Sequence, residues 1–219
     1  MVSVYRKTSD LPSVIAVFPL NGALLLPGGV MPLQIFEPRY LNMIDDVMRG
    51  DRLIGMIQTA PGGPRHTPHL AHVGCVGRIT SYSETGDGKY LIALTGVCRF
   101  EVLSELAAPT PYRQVRAAFA PFQIDLLPDG EVEAFDRKAF LAVLRRYLER
   151  RQLGVEWEVI DAAPAAALIS SLAMALPFSA AEKQALLEAP DLASRLQTLC
   201  TLLEMGGLLA EDDDGPSLN

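Results

Sequence analysis

The three histidines of the chain lie in one short stretch, and imidazole is a common protein ligand of zinc. His66, His69 and His72 are three residues apart, and Cys75 continues the spacing. On a helix this spacing would place the imidazoles on one face, but Pro68 among them disfavours a helix. We therefore expect a loop, no metal and no cofactor, although metal binding by the three histidines stays open.

Enzymatic chemistry has no recognisable motif in this sequence. A phosphate-binding loop is approximated only at Gly88-Lys89, where Ser83 and Tyr90 stand at positions that require Gly and Ser or Thr. The nucleophile elbow, the helical zinc-protease motif and the dinucleotide-binding glycine pattern are also missing from the sequence. We expect a protein that binds rather than catalyses.

Four arginines lie on β-like segments and could form a phosphate-binding face: Arg78, Arg99, Arg113 and Arg116. Solvent-facing arginines on half-buried strands are the more ordinary interpretation. The formal net charge of -7 also gives no general attraction for nucleic acid. RNA binding is therefore an alternative hypothesis, not the first one.

The stretch from residue 24 to residue 40 is unusually apolar for a segment broken by proline and glycine. These residues disfavour a regular ladder, so several apolar side chains could line a groove: Leu26, Val30, Met31 and Phe36. Burial in the core is the default for such side chains. Nearby, we expect structural roles for Pro38 and Tyr40 and an exposed Arg39 that pairs with Glu37.

The elements that must position these residues differ between the two halves of the chain. The first half is rich in short apolar runs that predict strands: 14–18, 24–26, 53–58, 73–82, 89–98 and 112–122. The turn Thr85-Gly86-Asp87-Gly88 predicts a hairpin over residues 73–98. One helix begins at Pro38 and ends at Gly50.

The second half shows helical periodicity. One helix presents an apolar face formed by Val132, Phe135, Ala139, Phe140, Val143, Leu144, Tyr147 and Leu148. Further helices are predicted over residues 164–176, after a capping box at Ser179, and after Asp191. We predict a β-rich domain over residues 1–123, a helical bundle over 131–209, and a flexible acidic tail over 210–219. We expect the halves to pack together, with Phe140 and Leu196 buried.

The sequence favours a soluble cytoplasmic protein. No apolar stretch approaches the roughly 20 residues that a membrane span needs. Asp10 and Pro12 interrupt the N-terminal region, which therefore does not match a secretory signal. The odd number of cysteines predicts free thiols rather than a disulfide framework.

Ordered motifs in the chain resemble the N-terminal substrate-binding domain of Lon proteases. The resemblance rests on Val17-Phe18-Pro19-Leu20, on Leu26-Pro27-Gly28-Gly29 continuing to Pro32-Leu33-Gln34-Ile35-Phe36-Glu37-Pro38-Arg39-Tyr40, on Val73-Gly74-Cys75-Val76-Gly77-Arg78-Ile79, and on Leu94-Thr95-Gly96-Val97-Cys98-Arg99-Phe100. Later helices fit through Leu176-Pro177-Phe178 and Glu182-Lys183-Gln184-Ala185-Leu186-Leu187-Glu188. The resemblance covers roughly residues 12 to 205.

This resemblance implies an α+β fold, with a β-rich PUA-like pseudo-barrel followed by an α-helical bundle. It also implies a non-enzymatic module that binds unfolded or apolar polypeptide, because the ATPase and peptidase motifs of full-length Lon do not occur in this sequence. The candidate substrate-binding residues are Leu26, Met31, Phe36 and Arg39. The alternative is a PUA-like RNA-binding module, and self-association stays open.

Overall fold

The computed structural model describes residues 5–64, 67–127 and 135–208, and it shows the expected α+β architecture. The first half contains β1 (Val14–Pro19), β2 (Val30–Ile35), α1 (Pro38–Met48), β3 (Leu53–Thr59), β4 (Leu70–Glu84), β5 (Tyr90–Leu106) and β6 (Arg113–Ala118). The second half contains α2 (Arg137–Arg150), α3 (Trp157–Ala162), α4 (Ala165–Ala175), α5 (Ala180–Glu188) and α6 (Leu192–Leu208). A 3₁₀ segment, Ala120–Leu126, follows β6.

Five of the strands form a closed ring. β5 pairs with β4, β4 with β3, β3 with β1, β1 with β6, and β6 returns to β5. The β1–β3 pair is parallel, and the other pairs in the ring are antiparallel. Closure leaves no open edge along most of the ring, so its inward side chains form a continuous apolar core.

β5 is long enough to serve different partners along its length. Its first residues, Tyr90–Thr95, pair with β2, and its last residues, Glu101–Leu106, pair with β6. The predicted β4–β5 hairpin is confirmed, with Gly88 at a φ of 75° in the connecting turn. A glycine there avoids the strain that a side chain would impose.

Two sequence predictions in the apolar stretch are wrong. Leu24–Leu26 is not a strand but a buried segment that lies against β5, so close that a Cβ at Gly96 would overlap the Leu26 carbonyl. Conversely, Val30–Ile35 forms a regular strand despite Pro32. β2 pairs on one side only, and an edge strand tolerates a proline because the outer side needs no N–H donor.

The helices of the second half largely follow the predictions. The capping box is present, since Ser179 Oγ accepts from Glu182 N at 3.3 Å and Ser179 N donates to Glu182 Oε2 at 2.6 Å. Asp191 Oδ1 accepts from Ser194 N at 2.7 Å. The short helix α3 was not predicted. In α2, Phe140 is buried as expected, whereas Leu196 on α6 is only partly buried.

The helical half packs onto the ring through polar groups as well as apolar ones. Gln58 of β3 is 3 % exposed and donates to Ala180 O at 2.9 Å, while it accepts from Gly22 N at 3.1 Å. Lys183 Nζ donates to Gly22 O at 2.9 Å, and its pKa is lowered by burial. These bonds fix α5 against the end of β3 and confirm the predicted packing of the two halves.

The proposed division between residues 123 and 131 stays a prediction. β6 ends at Ala118 and α2 begins at Arg137, but Val132 and the rest of residues 128–134 lie outside the described part of the chain. The predicted tail, residues 210–219, also lies outside it. Among the described residues, no helix is both long enough and apolar enough to cross a membrane.

Candidate functional site

The candidate site begins at the first turn of α1. Pro38 is the first helical residue, where its missing N–H costs nothing. Tyr40 is buried against Phe18, with ring centroids 4.2 Å apart. Arg39 points outward, pairs with Glu37 at 2.8 Å and lies 4.5 Å over the Tyr40 ring. The expected roles of Pro38, Glu37, Arg39 and Tyr40 in the structure are therefore confirmed.

A cleft of about 380 Å³ opens beside this turn. Its walls come from the ends of four elements and from two connecting loops, and they consist of Pro19, Arg39, Tyr40, Thr59, Pro68, Pro111, Tyr112 and Arg113. Proline and tyrosine rings give the cleft flat apolar surfaces, and the two guanidinium groups give it donors. Such a surface can accept an extended backbone with apolar side chains.

Arg113 holds one wall of the cleft in place. Its Nε and Nη2 both donate to the Glu105 carboxylate at 2.6 Å, and its Nη1 donates to Pro68 O at 2.8 Å. The two bonds to the guanidinium lower the pKa of Glu105. The Arg113 side chain is 18 % exposed and that of Arg39 is 48 % exposed, so Arg39 is the guanidinium that faces an incoming ligand more openly.

A second pocket, of about 390 Å³, continues along α1 beyond Pro111. It is lined by Asn42, Asp45, Asp46, Arg49, Pro109, Thr110 and Pro111. Pro111 lines both pockets, and α1 runs beside both. We call the two pockets together the α1 groove.

Two tyrosines fix the carboxylates of the α1 groove. Tyr112 OH donates to Asp46 at 2.9 Å, and Tyr90 OH donates to Asp45 at 3.0 Å. Burial, supported by the bond to Asp46, raises the pKa of Tyr112 to about 12. The groove thus has an apolar end with Arg39 and a charged end, where Arg49 pairs with Asp46 at 3.1 Å beside Asp45.

The predicted substrate-binding residues do not all lie at this surface. Leu26 has no exposed area, so it fills the core and cannot contact a client. Leu26 is therefore not one of the residues that could bind substrate. Met31 is partly buried against the core. Phe36 is 62 % exposed and immediately precedes the first turn of α1, and Arg39 lines the groove.

Sequence reasoning missed the residues of the opposite wall, including Thr59, Pro68, Pro111 and Tyr112. They are far from α1 in sequence and meet it only because the ring brings the ends of β1 and β3 and the start of β6 together. The one available signal was the run Pro109-Thr110-Pro111-Tyr112, in which prolines and an aromatic residue precede a strand.

The four arginines considered for phosphate binding do not form a common face. Arg99 is 1 % exposed and pairs with Asp125, and Arg113 pairs with Glu105. Arg78 is half-buried, and only Arg116 is exposed. The more ordinary interpretation, in which these strand arginines face solvent, is therefore also wrong for most of them.

The described residues of the histidine stretch also do not share one face of an element. His66 lies outside the described residues, His69 and His72 are exposed, and Cys75 is buried within β4. His72 and Cys75 are three residues apart on a strand, which places them on opposite faces. In the part of the chain that the structure describes, no group of three His, Cys, Asp or Glu side chains could hold a metal ion.

Solved structures of other proteins share this combination of ring and helices. A Lon N-terminal domain protein from Xanthomonas campestris matches with a TM-score of 0.62 at 24 % identity, covering 87 % of this chain and 98 % of that one. The N-terminal domain of a Mycobacterium avium complex Lon protease matches with the same TM-score at 19 % identity. The fold is thus that of Lon N-terminal domains.

Sequence comparison gives the family. Residues 14–205 match the ATP-dependent protease La (LON) substrate-binding domain, and the chain belongs to this family. Lon protease from Anaeromyxobacter dehalogenans is 29 % identical over 215 residues, and Lon protease 2 from Myxococcus xanthus is 28 % identical over 209 residues. The matches cover 91 % and 89 % of this chain but 24 % of each relative.

Proposed function

We propose that this protein binds extended segments of unfolded polypeptide in the α1 groove and performs no chemistry on them. The observation that carries the proposal is the groove itself, which joins proline and tyrosine surfaces to a solvent-facing guanidinium and ends at the charged side chains of Asp45, Asp46 and Arg49. Membership of a substrate-binding family supports the same direction. Phe36, which is exposed and lies two residues before the start of α1, would supply an additional apolar contact.

The dimensions of the groove suit a short segment. From Arg39 to Arg49, α1 rises about 15 Å, a length that about five extended residues would span. An apolar or aromatic client side chain would lie against Tyr40, Tyr112 and the prolines. Client backbone carbonyls would accept from Arg39. A basic client residue would fit the other end at Asp45, which takes part in no ion pair among the described residues, whereas Asp46 pairs with Arg49.

Weak binding follows from the nature of the client. An unfolded segment loses conformational freedom when it is held, and this cost offsets much of the gain from contact. We expect a dissociation constant that is about micromolar or weaker. The buried thiols of Cys75 and Cys98 suit a reducing compartment, so we also propose that the protein acts in the cytoplasm.

The test compares two substitutions of equally exposed side chains. Phe36 is 62 % exposed beside the groove, and Val159 is 61 % exposed on α3 in the helical half. Phe36→Ser should weaken binding of a fluorescent, reduced and alkylated unfolded protein by about tenfold, which corresponds to 1.4 kcal/mol. Val159→Ser should leave the binding unchanged. Urea denaturation should show that both variants keep the stability of the parent protein.

A second variant tests the groove directly. Thr59→Arg would place a long side chain into the cleft and should abolish the same binding without exposing core surface. A further variant, Met31→Ser, tests a predicted binding residue whose side chain is only partly buried. If β2 takes part in the site, Met31→Ser should reduce the free energy of binding by more than it reduces the free energy of unfolding. If the parent protein binds no unfolded client at high micromolar concentration, the proposed function is wrong.

A further inference from the structure

The cleft at the first turn of α1 offers hydrogen-bond donors to a ligand. The described residues that line it include two arginines, Arg39 and Arg113, and neither Asp nor Glu. The chain as a whole has a net charge of -7. A negatively charged group would therefore be held here by the donors of the cleft and not by the general field of the protein.

The ion pair of Arg39 leaves part of its guanidinium open. Arg39 Nε donates to Glu37 Oε2 at 2.9 Å, and Nη2 lies 2.8 Å from the same oxygen. Nη1 donates to no acceptor among the described residues. Because both side chains are about half exposed, the pair is a weak one. Glu37 therefore does not prevent a ligand carboxylate from binding to the same guanidinium.

Two hydroxyl groups of the cleft also have no acceptor in the described part of the chain, those of Tyr40 and Thr59. Tyr40 is buried, so its ring is fixed in place. Burial also raises the pKa of Tyr40. The charge of Arg39 and, more weakly, that of Arg113 lower this pKa, while Glu37 raises it. The Tyr40 hydroxyl therefore lies within the field of both guanidinium groups.

The remaining surfaces of the cleft are apolar. They come from Pro19, Pro68, Pro111 and the ring of Tyr112, whose hydroxyl already donates to Asp46. A ligand that matches the whole cleft carries a carboxylate and an apolar group close together. In a polypeptide, Asp and Glu residues have the carboxylate without an apolar side chain. Only the C-terminal residue can have both.

We infer that this cleft binds the C-terminal carboxylate of an unfolded client, with the apolar side chain of the client's last residue against the proline and tyrosine walls. The inference rests on the proposed function and names the part of the client that the groove selects. The carboxylate accepts from Arg39 and from the hydroxyl groups of Tyr40 and Thr59. Hydrogen bonds to an ionised acceptor are stronger than bonds to a neutral carbonyl, so a chain end binds better than an internal segment.

The contact also sets the direction of the client. With the C-terminus at Arg39, the preceding residues run along α1 towards Asp45. The helix rises about 9 Å between these two positions, a length that about three extended residues span. A client with Lys or Arg about three positions before its end therefore fits both ends of the groove.

The test measures fluorescence anisotropy with a short labelled peptide that ends in phenylalanine, prepared as the free acid and as the C-terminal amide. The parent protein should bind the acid about tenfold more tightly. Arg39→Gln should bring the two affinities close together, and Tyr40→Phe, which keeps the ring, should reduce their ratio about threefold. Tyr147→Phe is the matched control, because Tyr147 OH also has no partner among the described residues but lies in the helical half. It should leave the ratio unchanged.

The outcomes separate this inference from the proposed function. Equal affinities of the acid and the amide for the parent protein would overturn the inference and leave the proposed function intact. If neither peptide binds, the proposed function is wrong, and the inference with it. A preference for the acid that survives both Arg39→Gln and Tyr40→Phe would place the carboxylate outside the cleft and would also overturn the inference.

A third peptide distinguishes a chain end from a side chain. It is amidated and ends in aspartate, so it carries the same charge without a free C-terminus. We expect it to bind no better than the amide that ends in phenylalanine. If it binds as tightly as the free acid, the cleft accepts any carboxylate, and the assignment of a C-terminal ligand is wrong.

Discussion

Two arginine–carboxylate pairs of almost the same length lie in opposite surroundings. Arg99 and Asp125 are 2.8 Å apart, with side chains 1 % and 7 % exposed. Arg39 and Glu37 are also 2.8 Å apart, with side chains 48 % and 44 % exposed. Water screens the second pair and not the first, so the distance between charges says little about what each pair does.

The buried pair joins elements, whereas the exposed pair stays within one turn. Arg99 on β5 donates to Leu187 O at 3.1 Å, to Ala189 O and to Pro190 O at 3.2 Å, all at the end of α5. Arg195 on α6 adds a bond to Leu186 O at 3.0 Å, and burial followed by the charge of Arg99 lowers its pKa to about 10. Burial therefore separates arginines that hold the two halves together from those that can meet a ligand.

The largest expected effect comes from breaking the buried pair. Arg99→Ala removes the guanidinium from the Asp125 carboxylate, which keeps only the bond from the backbone N–H of the same position, and it leaves three carbonyl groups without this donor in a buried site. We expect a loss of about 3–5 kcal/mol in the free energy of unfolding, measured by urea denaturation. A loss below about 1 kcal/mol, the range of exposed pairs, would show that the burial of Arg99 does not set its role.

A smaller effect is expected at the polar contact between β3 and α5. Gln58→Ala removes the partners of Gly22 N and Ala180 O, and an unsatisfied buried group costs about 1–3 kcal/mol. Gln34→Ala on the exposed face of β2 is the matched control and should change the free energy of unfolding little. Equal effects of the two substitutions would contradict the role of Gln58 in joining the halves.

In the α1 groove, Tyr112→Phe removes one hydrogen bond to Asp46 and should cost about 0.5–1.5 kcal/mol. The pKa of Tyr112 is about 12 in the folded protein and about 10 when unfolded. Because the folded pKa is the higher one, its stabilising contribution is complete below about pH 10 and is lost between about pH 10 and pH 12. The difference in unfolding free energy between parent and variant should shrink over this window. If this difference in unfolding free energy stays constant over the window, the ionisation of Tyr112 does not affect the stability of the fold.

The smallest change in stability is expected at the exposed pair. Arg39→Ala should cost about 0–1 kcal/mol. The same variant should weaken binding of the unfolded client used above, because the open guanidinium of the α1 groove is lost. Arg146→Ala, at an exposed position of α2 in the helical half, serves as the control for a general loss of positive charge. A large loss of unfolding free energy in Arg39→Ala would show that the exposed pair contributes as much to stability as the buried pair of Arg99.

The sequence predicted those features that depend on neighbouring residues. The capping box at Ser179 and Glu182, the proline at the start of α1 and the β4–β5 turn all act over a few residues. Pro32 misled the strand prediction because its effect depends on whether the strand has one neighbour or two. That information lies in β5, about sixty residues further along the chain.

The α1 groove was harder still to predict, because its walls come from residues that are distant in sequence. Arg39 and Phe36 were within the predicted stretch, but Tyr112 and Pro111 meet Arg39 only after the ring closes. Leu26 has the same apolar character as Phe36, yet it has no exposed area while Phe36 is 62 % exposed. The burial of Arg99 was equally hidden, because its acceptors lie on a helix about ninety residues away.

Ring closure also sets an order of events during synthesis. β1 leaves the ribosome first, but Val14 pairs with Arg116, about a hundred residues later. At about 5–20 residues per second, the apolar strand Val14-Ile15-Ala16-Val17-Phe18 waits about 5 to 20 seconds for its second neighbour. During that interval one edge of β1 is open to pairing with other chains. The nascent protein is therefore most prone to aggregate before β6 has been made, and a chaperone that shields β1 would act in this interval.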